Sequence, residues 1–294
     1  MDKAKIIFLT LINPETSESI VLSPSLGGTI TALTLGKDLH QIMASDSENE
    51  FQKNPLFRGR FLFPFNDRIP GGKYSFQGKT YQLHINCKED GSSIHGFVYH
   101  KGVSILVQTS TETTLYWRTG KNKLKGYPFD MSLRINIKLR NGGVTLFFTV
   151  KNEGEKPAPY ALGWHSYFKT DSSSVLSAAY PSYFKTDKFF LPVGNSIPAK
   201  GSTYDFSTGN GFSDKALDHT FSSPSDGISI LRNRNYSVRI KQHNFAYTQL
   251  FIPPDKKSIA IEPISSKPNS FNSEEVLVLK AGEEYLASIR IDII

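Results

Sequence analysis

The chain has 294 residues, with 34 Lys and Arg against 27 Asp and Glu, a formal net charge of +7 and a single cysteine, Cys87. A hydrophobic content of 38%, with 21 Phe and 13 Tyr, supplies a core and excludes low-complexity disorder. One cysteine excludes a disulfide framework and a cysteine-ligated zinc, and no apolar run approaches the roughly 20 residues that span a bilayer.

Taken in chain order, Met1-Asp2-Lys3-Ala4-Lys5 precedes the apolar run Ile6 to Ile12. The run is at the short limit for a secretory signal, and no small-x-small cleavage site follows it. Asn13-Pro14-Glu15-Thr16 reads as a turn, so Ile6 to Leu11 is expected to be a first β-strand. Further strand-like runs follow at Ser19–Leu22, Thr29–Leu35, Tyr74–Phe76, Thr80–Leu83, Val103–Thr109, Thr113–Arg118, Ser132–Leu139 and Val144–Lys151. Leu133 to Leu139 alternates apolar and polar strictly, the signature of a strand with one buried face. The second half repeats the theme at Ile228–Leu231, Tyr236–Lys241, Thr248–Ile252, Ser258–Ile261, Glu275–Leu279 and Tyr285–Ile291. Turn signals such as Gly71-Gly72, Asn141-Gly142-Gly143 and Pro253-Pro254-Asp255 separate them. No window of about 12 residues carries a clean helical period with caps. Many short strands without intervening helices predict an all-β fold, a sandwich or barrel. No composition shift marks a boundary, so residues 1–294 read as a single domain. The segment Ser166–Asp171 recurs at Ser182–Asp187, too short an offset and too few copies for a repeat architecture.

The positive charge is scattered and interleaved with acids, without a block of five or six like charges. This argues against nucleic acid and membrane as partners. Cytoplasm is the default compartment, and a lone cysteine is compatible with it.

Seven histidines are present, and two have settings that point to chemistry. His165 lies among aromatics in Gly163-Trp164-His165-Ser166-Tyr167-Phe168, and His95 precedes a glycine in Ser93-Ile94-His95-Gly96-Phe97. Glu262 ends the apolar run Ser258–Ile261 and precedes Pro263. A carboxylate at the end of a buried strand pays desolvation unless it is paired or used. Arg68 follows Asn66-Asp67 after the apolar run Arg60–Pro64, and it has Asp67 as a possible partner. Histidine spacings for a metal site, a P-loop, a dinucleotide fingerprint and a Gly-x-Ser-x-Gly elbow are all lacking.

Several segments, in order, resemble the aldose 1-epimerase (galactose mutarotase-like) family. They are Asn66-Asp67-Arg68-Ile69 with the Gly72–Gly78 hairpin, Ile94-His95-Gly96, Gly126-Tyr127-Pro128-Phe129, Gly163–Phe168, Leu217-Asp218-His219, Ile261-Glu262-Pro263 and Ala281–Tyr285. Matches run from about residue 24 to the C-terminus. Asp67 stands where many members read Asn-Arg directly, Ser166 replaces a proline, and Phe97 replaces a second glycine. These departures mark a divergent branch.

The resemblance implies a large antiparallel β-sandwich, the galactose mutarotase-like supersandwich, with few short helices. It implies an isomerase that interconverts the α and β anomers of an aldose, with Glu262 as general base and His165 as general acid. His95 is implied as a second donor near the ring oxygen, and Arg68, Asp218 and Asn66 as binders of the sugar. The chemistry requires two positioned proton-transfer groups and no metal or cofactor. The implied partner is a small sugar, and the chain is expected to be a monomer or homodimer. Trp164 and Phe65 are candidates for packing on the sugar and equally for the core. Three other readings stay open. A phosphorylated hexose would need converging cations, with Arg60, Arg68, Lys73 and Lys267 as candidates. A non-catalytic carbohydrate-binding protein would use the same pocket. A polysaccharide lyase would share related architecture.

Overall fold

Strand alternation and turn chemistry set the architecture seen in the structure, a computed structural model that describes residues 6–47, 50–51, 53–120 and 124–294. Met1 to Lys5 lie outside the described residues. Leu133, Ile135, Ile137 and Leu139 are all buried, and Arg134 between them is exposed, as the alternation requires. Their strand, Met131–Arg140, pairs antiparallel with Gly143–Asn152 through a tight turn at Asn141-Gly142. This hairpin lies in a nine-stranded sheet that runs from Ser104–Gln108 at one edge to Asn210–Gly211 at the other.

A second sheet of eight strands carries the cleft described below. Its path is Pro192–Pro198, Ser182–Thr186, Asp218–Ser222, Tyr247–Phe251, Ser258–Ile264, Gly163–Trp164 and Phe61–Leu62, with Tyr167–Lys169 also pairing to Ser258–Ile264. All seven residues of Ser258–Ile264 are buried, so this strand is covered on both faces. Phe148 of the nine-stranded sheet meets Phe61 of the eight-stranded sheet edge to face at 5.7 Å. Most of the buried apolar side chains form one cluster drawing on both sheets. Among the described residues the helices are three 3₁₀ turns of three residues each, Pro24–Leu26, Val98–His100 and Ser270–Asn272. No described helix is long and apolar enough to cross a membrane.

The expected strands recur, most with ends shifted by one or two residues. The first begins later, at Leu9–Ile12, and Glu275–Leu279 shortens to Leu277–Leu279. The strands without a sequence signal are short, such as Phe61–Leu62, Gly163–Trp164 and Tyr167–Lys169. Two or three residues hold too little alternation to reveal a period. Both copies of the Ser166 and Ser182 segments contribute strands to the same eight-stranded sheet.

Candidate active site

The register of the eight-stranded sheet aligns the chemistry. Asp218 pairs with Phe251, Phe251 with Ala260, and Ala260 with Tyr167, which makes one row across four strands. The next row is Thr220, Gln249 and Glu262. Because successive side chains point to opposite faces, Asp218, Gln249, Phe251, Glu262 and Tyr167 share one face. They line a cleft of 610 Å³, together with His95, His165 and Arg68 from adjoining segments.

Short backbone links fix the remaining groups. The His165 amide donates to the Arg60 carbonyl at 2.9 Å, and the Gly59 amide donates to the His165 carbonyl at 2.8 Å. Ser166 donates its hydroxyl to the Ile261 carbonyl at 2.6 Å, tying the His165 segment to the strand of Glu262. His95 sits at φ 63°, a left-handed conformation that is rare for a residue with a side chain. Gly96 follows at φ 70°, where an added Cβ would lie 2.2 Å from the Phe63 carbonyl oxygen, so only glycine fits.

At the floor, His165 Nδ1 faces Glu262 Oε1 at 3.4 Å. Both residues are buried, at 8% and 3% exposure. Burial, with Asp67 and Asp218 adding to it, pushes the Glu262 carboxyl well above the usual range. Burial, helped by His95, Arg68 and Arg58, pushes His165 well below the usual histidine value. His95 Nδ1 lies 3.0 Å from the Asn66 carbonyl and donates to it. Burial pushes its pKa down to about 4. Asp218 accepts from Gln249 Nε2 at 2.8 Å, and Thr220 donates to Gln249 Oε1, which fixes that amide's orientation. Burial raises the Asp218 pKa to about 6, with the Arg68 charge opposing it. Arg68 donates from Nε to Asp90 at 2.8 Å, and Asp67 lies 3.4 Å from its Nη1.

The structure thus brings Glu262, His165, His95, Arg68 and Asp218 to one cleft. Asn66 is placed differently. Its side-chain amide donates to the Ser266 carbonyl, it is 2% exposed, and it is not among the described residues lining the cleft. It serves the site through its main-chain carbonyl, which holds His95. Arg60 is also turned away from the cleft. Its guanidinium is spent on Asn54 Oδ1, Thr29 Oγ1 and the carbonyls of Tyr99 and Phe51. Trp164 is fully buried and donates to the Gly59 carbonyl, and Phe65 packs against Phe97 and Phe271, so both are core residues. Sequence reasoning missed Gln249 and Tyr167 as lining residues. The signal for Gln249 lay in the register opposite Glu262, which only strand pairing reveals. Among the described residues no three of His, Cys, Asp or Glu are grouped to hold a metal ion.

Comparison with known proteins bears on the family and the fold. The family model of aldose 1-epimerase matches residues 9–292. The chain is 25% identical over 240 residues to the uncharacterized protein YihR of Escherichia coli K12, covering 77% of this chain and 76% of that one. Its fold is similar to the GalM/aldose epimerase homologue from C. elegans, with a TM-score of 0.85, 17% identity and 99% of each chain covered. It is equally similar to a galactose mutarotase-like protein from Clostridium acetobutylicum, with a TM-score of 0.85, 19% identity and 99% of each chain covered. With its match over nearly the whole chain and its mutarotase-like fold, the protein belongs to the aldose 1-epimerase family.

Proposed function

We propose that the protein is an aldose 1-epimerase that interconverts the anomers of an uncharged aldose. The observation that carries this reading is the buried Glu262–His165 pair, 3.4 Å apart, at a cleft also lined by His95, Arg68 and Asp218. Glu262 takes the proton of the anomeric hydroxyl, and His165 gives a proton to the ring oxygen. The bond between the anomeric carbon and ring oxygen breaks, and the anomeric oxygen becomes an aldehyde. The aldehyde turns about one carbon–carbon bond. The ring hydroxyl then returns its proton to His165 and attacks the other face, while Glu262 returns its proton to the new anomeric hydroxyl.

Ring opening leaves Glu262 protonated and His165 neutral. Burial favours that same distribution, so the site's electrostatics support the open-chain state over the closed ground state. The pair must carry one proton between its two members for turnover. Rate is therefore expected to fall on the acid side, where both are protonated, and on the alkaline side, where neither is.

The uncharged substrate is supported by the lining. Asp67, Glu89, Asp218 and Glu262 face Arg68 and Lys53, and Arg68 is already paired with Asp67 and Asp90. The other candidate cations for a phosphate, Arg60, Lys73 and Lys267, are not among the described lining residues. Arg60 is saturated in the interior, and Lys267 pairs with Glu275.

The test follows optical rotation after dissolving pure α-anomers of glucose, galactose and other aldoses, with glucose 6-phosphate followed by NMR exchange. Wild type is expected to accelerate anomerisation of a free aldose and to leave glucose 6-phosphate slow. Glu262→Gln and His165→Ala should each lose about 10²–10⁴-fold in turnover. Full activity in either variant would remove that residue from the mechanism.

A further inference from the structure

Tyr167 is fully buried, and its hydroxyl has no hydrogen-bond partner among the described residues. Buried phenols are normally satisfied. Three others in this chain are: Tyr74 donates to the Gly126 carbonyl, Tyr127 to the Pro159 carbonyl, and Tyr180 bonds with Ser229. Tyr167 alone of these four borders the cleft. Its neighbour across the sheet is Ala260, and beyond that Phe251 meets the Tyr167 ring edge to face at 6.4 Å.

The ring is held by its neighbours. Tyr167 lies 5.2 Å from His165 with only 3° between the planes. The Arg58 guanidinium sits over the Tyr167 ring at 5.3 Å. Arg58 is fixed in turn by Asp46 at 3.3 Å and Asp255 at 3.7 Å. An orphan donor held this firmly beside a proton-transfer pair is unsatisfied until a ligand presents an acceptor.

We propose that the Tyr167 hydroxyl is a further substrate-contacting group, donating a hydrogen bond to an oxygen of the bound sugar, and that Arg58 is the positioning residue that holds its ring. This rests on the epimerase reading for the identity of the ligand. Burial, with Glu262 adding to it, keeps the phenol protonated and therefore a donor throughout the neutral range. His95 does not supply this donor, because its Nδ1–H is already committed to the Asn66 carbonyl.

Tyr167→Phe keeps the ring stack and removes only the hydroxyl. Deleting an unsatisfied buried hydroxyl should leave the thermal midpoint unchanged or higher. At the same time kcat/KM should fall by about 3- to 10-fold, the net worth of one neutral hydrogen bond, with the shape of the pH profile retained. Arg58→Ala should also lower kcat/KM, and Arg58→Lys should restore part of it by keeping a cation over the ring. A Tyr167→Phe enzyme that is as stable and as active as wild type overturns the proposal and leaves Tyr167 as packing. If wild type accelerates no aldose, the epimerase reading fails separately, and calorimetry with the same sugars decides. Weaker binding by Tyr167→Phe upholds the contact. Equal binding, or no binding of any aldose by wild type, overturns it.

Discussion

At the scale of single residues, hydrogen bonding decides what each titratable group offers a ligand. His95 donates from Nδ1 to the Asn66 carbonyl, and its pKa is pushed down to about 4. At neutral pH the other nitrogen, Nε2, therefore carries a lone pair and accepts. The resemblance implies His95 as a donor; with Nδ1 committed and under the proposed function, its Nε2 is expected instead to accept from a sugar hydroxyl. Nitrogen-15 NMR at pH 7 is expected to show a protonated Nδ1 and an unprotonated Nε2, and the reverse pattern would restore the donor role. Asp218 supplies a second prediction. Its native pKa of about 6 lies above the value of about 3.9 for an unperturbed Asp. Between those values the native state keeps a proton that the unfolded state has lost, so stability falls as pH rises through that window. Asp218→Asn should shrink the difference between urea midpoints measured at pH 4.5 and pH 7. An unchanged difference would count against the raised carboxyl.

At the scale of elements, the cleft depends on segments that converge on one buried cation. Arg60 joins the carbonyl of Phe51 and the side chain of Asn54 to the carbonyl of Tyr99. Asn54 and Tyr99 both line the cleft. Lysine lacks the planar fork that reaches four acceptors. Arg60→Lys is expected to cost about 1–3 kcal/mol, the penalty for leaving a buried acceptor unmade, and to weaken sugar affinity by loosening both walls. Chemical denaturation and calorimetry would measure the two effects. A variant with wild-type affinity would mean that the walls are held by other contacts. Sequence patterning located the long strands, because ten residues of alternation cannot be mistaken, as in Met131–Arg140. It did not locate Phe61–Leu62, Gly163–Trp164 or Tyr167–Lys169, yet these short strands carry or brace His165 and Tyr167. Their existence depends on neighbours distant in sequence, such as Leu62 opposite Gly163.

At the scale of the whole molecule, the two large sheets hold the cleft by packing against each other. Phe148 of the nine-stranded sheet meets Phe61 of the eight-stranded sheet at 5.7 Å and Phe245, in the connection between Ser237–His243 and Tyr247–Phe251, at 5.8 Å. Phe148→Ala should cost about 3–5 kcal/mol, from lost burial plus the cavity left behind. It should also reduce activity at temperatures well below its melting point, since Phe61 pairs directly with Trp164 next to His165. Urea denaturation gives the first quantity and anomerisation rates the second. Wild-type activity in a destabilised variant would separate core packing from site geometry.

The sequence by itself determined the all-β class, most long strands and, through ordered motifs, the family and five residues of the cleft. These features are local: alternation and turn chemistry act over a few residues, and motifs persist as short words. The tertiary structure decided what those residues can do. The burial that raises Glu262 and lowers His165, the tautomer of His95, the inward turn of Asn66 and Arg60, and the unpartnered hydroxyl of Tyr167 all depend on strand register and on groups up to 200 positions apart. Desolvation and hydrogen bonding follow from what surrounds a side chain in space, and the chain order does not record that.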